Sequence, residues 1–138
     1  MGAAVREALE SDPNFFLRHG YTYSGHSSVC AAALANLAII EREGLVERAK
    51  HVGARLSKGL GALATDGTID HVRGDGAVWA AGLKPDQNSV TIRDRMIELG
   101  VIARAINTDT VAFCPPLVVT DEELDTMIDT FANAAMGK

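Results

Sequence analysis

One apolar stripe in the middle of the chain constrains the fold more than any other feature. Its members recur every three or four residues, which is the spacing of one face of an α-helix: Leu45, Ala49, Val52, Leu56, Leu60 and Leu63. Charged residues such as Glu47, Arg48 and Lys50 occupy the opposite face. A helix of this kind buries its apolar side, so the stripe predicts a long helix that begins after Gly44 and packs on other elements.

Weaker patterns on either side of this stripe predict the neighbouring elements. Before it, an alanine-rich segment over residues 27–43 has helical spacing and high helix propensity. After it, residues 69–72 and 77–83 form two β-rich runs. A glycine-bounded turn at residues 74–76 separates the two runs, which therefore predict an antiparallel pair.

The next segment predicts a helix followed by a β-hairpin. We expect Ser89 to cap the helix and Gly100 to end it. Residues 101–106 and 110–113 are short β-rich runs on either side of Asn-Thr-Asp at residues 107–109. Asn and Asp at these positions are typical of a hairpin turn.

A capping box marks the start of the last helix. Thr120 is followed three residues later by Glu123, a spacing that satisfies two unpaired backbone amides at a helix start. The complete order of elements predicts an α+β domain. We expect a small, mainly antiparallel sheet of three to four strands with helices on one side, preceded by two long helices.

Size and composition exclude several classes of protein. The chain has 138 residues, 47% of them hydrophobic and 22% charged, which is typical of one globular domain. Its net charge of −5 disfavours nucleic acid or an anionic membrane surface as a partner. The longest apolar run, residues 29–40, is too short to span a bilayer. Cys30 and Cys114 lack the spacing of a disulfide framework or zinc site, so we expect no metal and two reduced thiols in a cytoplasmic protein. Cys114, which lies beside two prolines, is expected to be buried.

Four short segments together resemble a known enzyme family. Residues 19–26 (HGYTYSGH) run into the alanine-rich helix, and residues 72–76 (VRGDG) follow later. Residues 100–104 (GVIAR) and 114–120 (CPPLVVT) complete the pattern. In this order they closely resemble the C-terminal part of class III, or omega-type, aminotransferases, which depend on pyridoxal 5′-phosphate (PLP). The resemblance covers nearly the whole chain, from about Val5 onward.

The resemblance implies a portion of a longer fold-type I enzyme. Chains of this family carry a large cofactor-binding domain before this region, and the lysine that holds PLP lies there. None of the four lysines of this chain, Lys50, Lys58, Lys84 and Lys138, matches its motif. We therefore expect no catalytic residue in this chain, no PLP binding by it alone, and no activity without the rest. The parent enzyme would be a homodimer that moves an amino group between an amine or amino acid and a keto acid.

Three residues acquire roles through this resemblance. Thr22 would hydrogen-bond the PLP phosphate of the other subunit, which suits a hydroxyl in a Gly-containing loop before a helix. Tyr21 would shape that loop beside the cofactor and the substrate pocket. Arg104 would hold the substrate carboxylate, since a planar guanidinium binds a carboxylate through two hydrogen bonds. Without the resemblance, the residues alone favour Thr22 as a loop residue that begins the helix and Arg104 as an outward-facing strand residue.

The family reading divides the chain into three parts. Residues 1–26 would be a remnant of the large cofactor domain, residues 27–66 connecting helices, and residues 67–138 the C-terminal small domain. The alternative is a free-standing, non-catalytic α+β binding or regulatory module derived from an aminotransferase gene. Racemases and mutases belong to the same family, and the residues of this chain are compatible with them too.

Overall fold

Five helices and a four-stranded sheet make up the computed structural model, which describes residues 2–16 and 18–137. In chain order the elements are α1 (Ala3–Glu10), α2 (Ser27–Arg42), α3 (Leu45–Thr65), β1 (His71–Asp75), β2 (Val78–Gly82), α4 (Ser89–Glu98), β3 (Arg104–Ile106), β4 (Thr110–Phe113) and α5 (Asp121–Ala135). The chain divides into two units, one ending at Ala38 and the other beginning at Ile39.

The sheet lies in the second unit and has the strand order β1-β2-β4-β3. Every pair of neighbouring strands is antiparallel. Because successive side chains of a strand point to opposite faces, the register sorts the residues into two sets. The set that shares the face of the fully buried Ala81 and Val111 is called here the inner face.

The three helices of the second unit that follow Gly44 form the layer over the inner face. Helix α3 packs on β1 and β2, α4 packs on β3 and β4, and α5 packs against both helices. In the predicted stripe, Val52, Leu56 and Leu60 are fully buried. Phe113 and Phe131 meet edge to face, with ring centroids 5.1 Å apart. The prediction of an α+β domain with a small antiparallel sheet and helices on one side is confirmed.

The helix ends confirm two predictions and correct one. The capping box is present: the amide of Glu123 donates to Thr120 Oγ1 at 3.2 Å, and the amide of Thr120 donates to Glu123 Oε2 at 2.8 Å. Gly100 follows α4 with φ +88°, a conformation that suits glycine. The prediction that Ser89 caps α4 was wrong, because the side chain of Asn88 accepts the amides of the first turn.

The strand limits also differ from the predicted ones. Strand β1 extends to Asp75, so Gly74 lies inside it and the turn comes later, at residues 76–77. A Cβ at Gly74 would lie 2.6 Å from Cδ2 of Trp79, so the close approach of that indole requires glycine within the strand. Strand β3 begins only at Arg104, three residues later than predicted.

The first unit contains α1, the loop before α2 and most of α2. None of the residues of α2 is buried, and Val29, Leu34 and Leu37 expose 51%, 68% and 59% of their surface. Across residues 2–16 and 18–137, no helix combines the length and hydropathy needed to cross a membrane.

Candidate functional site

The loop before α2 is organised around the hydroxyl of Ser24. The amide of Tyr21 donates to Ser24 Oγ at 2.7 Å, and the amide of Ser24 donates back to the carbonyl of Tyr21 at 2.9 Å. Gly25 then reverses the chain with φ +74°. Thr22 lies inside this turn, and its hydroxyl has no hydrogen-bond partner among the described residues. The turn therefore presents an exposed hydroxyl donor that is available to a ligand.

Tyr21 stands out from the same turn. Its side chain is 77% exposed, and its ring meets that of His19 edge to face, at a centroid distance of 5.5 Å. The structure thus brings the two residues predicted to bind the cofactor, Thr22 and Tyr21, into one turn of the first unit.

Arg104 belongs to the second unit and lies on the outer face of the sheet, opposite the helices. It is the first residue of β3 and pairs with Ala112 of β4, which pairs in turn with Ala80 of β2. Arg104 is exposed, and within the described part of the chain its guanidinium has neither a carboxylate nor a hydrogen-bond partner. An arginine without an internal partner can bind an external anion.

An apolar hollow of about 430 Å³ adjoins Arg104. Its walls include Val78, Ile102, Ala112 and Cys114. Cys114 is exposed, so the prediction that it is buried was wrong. Phe113, the last residue of β4, is buried on the inner face, and the alternation of side chains along a strand directs the next residue, Cys114, outward. The hollow joins apolar surface to one cation, an arrangement that suits a small carboxylate with an apolar body.

A second arginine on the outer face was missed at the sequence level. Arg73 of β1 lies in the same transverse row as Arg104, and Ala80 and Ala112 separate the two. Its Nη1 donates to His71 Nε2 at 2.9 Å and its Nη2 donates to Thr110 Oγ1 at 3.2 Å. The neighbouring Gly-Asp-Gly was interpreted as a turn around residue 74. The sequence signal that could have found it is the alternation of apolar Val72 with charged Arg73, which is typical of a strand with one buried and one exposed face.

A separate charged cluster joins α3 to α5. Asp121 accepts hydrogen bonds from His51 Nε2 at 3.0 Å and from Arg48 at 3.2 Å, and it pairs with Arg55 at 3.3 Å. The hydrogen bond from His51, followed by that from Arg48, lowers the pKa of the Asp121 carboxyl below its ordinary value. Arg55 lowers the pKa of Asp125 in the same way. These contacts fix two helices far from Arg104 in sequence, and we assign them to stability.

No group of three or more His, Cys, Asp or Glu side chains suited to a metal ion occurs within residues 2–16 and 18–137. Among the predicted site residues, the Thr22 hydroxyl and the Arg104 guanidinium have no hydrogen-bond partner in the described part of the chain, so both are available to a ligand.

Comparison with known families agrees with this geometry. The sequence model of the family described as "Aminotransferase class-III" matches residues 3–135. The chain belongs to the class III aminotransferases. The match includes the loop that carries Thr22 and the strand that carries Arg104, two of the segments on which the resemblance rests.

Curated class III aminotransferases are similar over most of the chain. A diaminobutyrate–2-oxoglutarate transaminase of Halomonas elongata is 39% identical over 143 aligned positions, which cover 93% of this chain and 30% of the relative. An acetylornithine aminotransferase of Methanosarcina acetivorans is 33% identical, with coverage of 85% and 29%. The mitochondrial gamma aminobutyrate transaminase 1 of Solanum lycopersicum is 30% identical, with coverage of 94% and 28%. The chain thus spans about 30% of the length of these relatives.

Solved transaminases share the fold. An amine transaminase from an uncultivated Pseudomonas species, in its PLP-bound form, matches with a TM-score of 0.88 and 33% identity, covering 99% of this chain and 34% of that one. A transaminase from the marine bacterium Virgibacillus matches with a TM-score of 0.87 and 31% identity, with coverage of 97% and 34%. Membership of the family implies PLP as the cofactor of the complete enzyme.

The residues present fit one part of that cofactor. The exposed hydroxyl of Thr22, on a turn directly before α2, is a suitable donor for a phosphate oxygen. Among the described lysines, Lys50 is engaged with Glu47 at 2.7 Å on the surface of α3. Lys58 lies on the same helix and Lys84 lies in the loop after β2, both outside the loop that carries Thr22.

Proposed function

We propose that this chain is the C-terminal part of a PLP-dependent aminotransferase that moves an amino group between an amine or amino acid and a keto acid. The observation that carries the proposal is the family match over residues 3–135, combined with an unpaired guanidinium on the sheet face that adjoins an apolar hollow. When bound, PLP supplies the electron sink for amino transfer. The complete enzyme is proposed to be a cytoplasmic homodimer, and the free thiols Cys30 and Cys114 support that location.

Arg104 is proposed to bind the carboxylate of the substrate. Its guanidinium offers parallel N–H donors, which match the two oxygens of a carboxylate better than a lysine ammonium does. The apolar walls of the adjoining hollow contact the carbon chain of the substrate and exclude water from the charge pair. Arg104 thereby orients the substrate and distinguishes carboxylate-bearing substrates from simple amines.

Thr22 is proposed to donate its hydroxyl hydrogen to the PLP phosphate of the partner subunit, and Tyr21 to line the same pocket. The exposure of both residues in this chain supports contacts with groups outside it. The lysine that holds PLP is proposed to lie in the part of the enzyme outside this chain, because the lysines described here occupy helix surfaces and a loop. The chain alone is therefore proposed to be inactive.

The first experiment asks whether the chain is part of a longer product. Intact mass spectrometry of the protein from its source organism, together with the upstream reading frame, should reveal a polypeptide about three times as long, judged from the coverage of the relatives. A source protein of only this mass would favour the alternative, a free-standing non-catalytic module. The second unit has a buried hydrophobic core of its own, and this observation supports the alternative.

The second experiment tests Arg104 in the full-length enzyme. Arg104→Ala should raise KM for carboxylate-bearing substrates by about 10- to 100-fold, the equivalent of about 1.5–3 kcal/mol for a charge-assisted contact. KM for simple amines should change little, and Arg104→Lys should restore little because it lacks the planar fork. Arg93→Ala is the matched control, since Arg93 pairs with its neighbour Asp94 on α4. An equal loss for both classes of substrate would show that Arg104 is a structural strand residue.

A further inference from the structure

The side chain of Arg73 crosses the outer face of the sheet from its edge strand toward the middle. It starts on β1 and reaches Thr110 on β4, two strands away, with Nη2 at 3.2 Å from Thr110 Oγ1. On the way it also donates from Nη1 to His71 Nε2 at 2.9 Å. His71 accepts at Nε2, and its Nδ1 lies 2.8 Å from a carboxylate oxygen of Asp70.

Gly82 of β2 makes this crossing possible. It pairs with His71 on one side and with Thr110 on the other. A Cβ at Gly82 would lie 2.5 Å from Nδ1 and 2.6 Å from Nε2 of His71, so the imidazole rests directly on the glycine backbone. The guanidinium of Arg73 bridges the same row, between that imidazole and the hydroxyl of Thr110.

Thr110 in turn controls the hairpin that carries Arg104. It is 4% exposed and pairs with Ile106, the last residue of β3, so it closes the hairpin. Its hydroxyl donates to Asp109 Oδ1 in the turn at 3.0 Å. From the helix side, Ser89 Oγ donates to the carbonyl of Asn107 at 2.9 Å. The turn is therefore held on the inner side by α4 and on the outer side by Arg73.

Strand β3 depends on this turn more than a central strand would. It is an edge strand of three residues, and within the described part of the chain β4 is its one pairing strand, so its position depends on the hairpin as well as on α4, which packs on it. We propose that Arg73 is a positioning residue for Arg104: by bridging His71 and Thr110 across Gly82, it fixes the β3–β4 hairpin and so the place from which Arg104 reaches the substrate carboxylate. The inference rests on the proposed role of Arg104 and adds a residue on the opposite edge of the sheet to the site.

The first test needs only this chain and measures hydrogen exchange of backbone amides by NMR. Arg73→Gln removes the positive charge and leaves one terminal nitrogen where arginine has two, so it cannot donate to both His71 and Thr110. Exchange of the amides in the β3–β4 hairpin should become faster by about 2- to 10-fold, the effect of one net hydrogen bond. Amides of the core, such as those of Leu60 and Ala81, should keep their rates. Arg93→Gln on α4 serves as the control and should change neither set.

The conservative variant separates positioning from general stability. Arg73→Lys keeps the charge but can reach only one of the two acceptors, so hairpin exchange should lie between the rates of the native chain and of Arg73→Gln. Faster exchange at all amides alike would assign Arg73 to global stability and overturn the proposal. Unchanged hairpin exchange in Arg73→Gln would overturn it as well.

The second test uses the full-length enzyme and a pair of substrates, one with a carboxylate and one a simple amine. Arg73→Gln should raise KM for the carboxylate substrate several-fold and leave kcat and KM for the amine unchanged. If Arg104→Ala discriminates between the substrates but Arg73→Gln does not, the positioning role is wrong and the proposed function stands. If Arg104→Ala fails to discriminate, the proposed role of Arg104 is wrong, and the positioning inference falls with it.

Discussion

Gly53, in the middle of α3, lies where the helix touches the turn between β1 and β2. A Cβ added at this position would overlap the carbonyl oxygen of Gly76 and lie 2.8 Å from its carbonyl carbon and 3.3 Å from Nε1 of Trp79. Gly53 is buried, Gly76 and Trp79 are half-buried, and two of the three atoms are backbone atoms that cannot rotate away. Gly53→Ala must therefore push the helix from the turn or distort the hydrogen bond of 2.9 Å from Trp79 Nε1 to the Gly76 carbonyl.

The expected loss in the free energy of unfolding follows from three effects. Overpacking a tight contact costs about 1–3 kcal/mol, and weakening one hydrogen bond costs a further ~1 kcal/mol. Replacing glycine by alanine inside a helix returns about 0.8–1 kcal/mol. Overpacking wins, so Gly53→Ala should destabilise the protein by about 1–3 kcal/mol.

Gly61→Ala provides the matched control on the same helix. Nothing lies within 4 Å of a Cβ added at Gly61, so only helix propensity acts and stability should rise by up to about 1 kcal/mol. Urea unfolding followed by circular dichroism and by the fluorescence of Trp79, which is the single tryptophan of the chain, measures both variants. Equal stabilisation by the two substitutions would refute the packing of α3 on the turn.

Three further predictions concern acid, the cofactor and association. Since the pKa of Asp121 is lowered in the folded state, its stabilising contribution is present above the unfolded pKa near 4 and is lost as the pH falls through the folded value. Thermal melts should therefore show a drop in Tm in acid. Asp121→Asn should reduce this drop, and the control Asp129→Asn should not. Incubation of this chain with PLP, followed by borohydride, should give no stoichiometric adduct on one defined lysine, and peptide mapping that finds such an adduct would contradict the proposed location of the catalytic lysine. The exposed apolar residues of α2 should cause self-association, which light scattering over a dilution series measures; Leu37→Glu should weaken it and Thr22→Ala should not, whereas a stable monomer at all concentrations would count against a missing covering domain.

Most helices could be predicted from the sequence because their signals are local. The stripe on α3 and the capping box of Thr120 and Glu123 act within one or two turns of helix, and both are found as predicted. The sequence predicted Ser89 as the cap of α4 where the structure has Asn88, because either side chain can cap a helix. The choice depends on the carbonyl of Asn107, which takes the hydroxyl of Ser89 from a distant part of the chain.

The site was predictable only to the level of single residues. Family motifs indicated Thr22, Tyr21 and Arg104, and the structure places all three at exposed positions. Arg73 and Arg104 lie in one transverse row because the four strands pair in one particular register. That register is set by pairings between distant residues, such as Gly82 with Thr110. Local sequence carries no information on such pairings. The exposure of Cys114 likewise depends on where β4 ends.

Helix α5 completes both parts of the core of the second unit. Phe131 fills the cluster that includes Leu60 and Val111, and Leu124 fills the cluster that includes Val52 and Leu56. During synthesis, α3, α4 and the sheet therefore leave the ribosome with the apolar surfaces that contact α5 uncovered, and cooperative folding of this unit must wait until α5 is translated. A nascent chain in this condition is a substrate for chaperones, so the yield of folded protein in the cell should depend on how quickly α5 arrives.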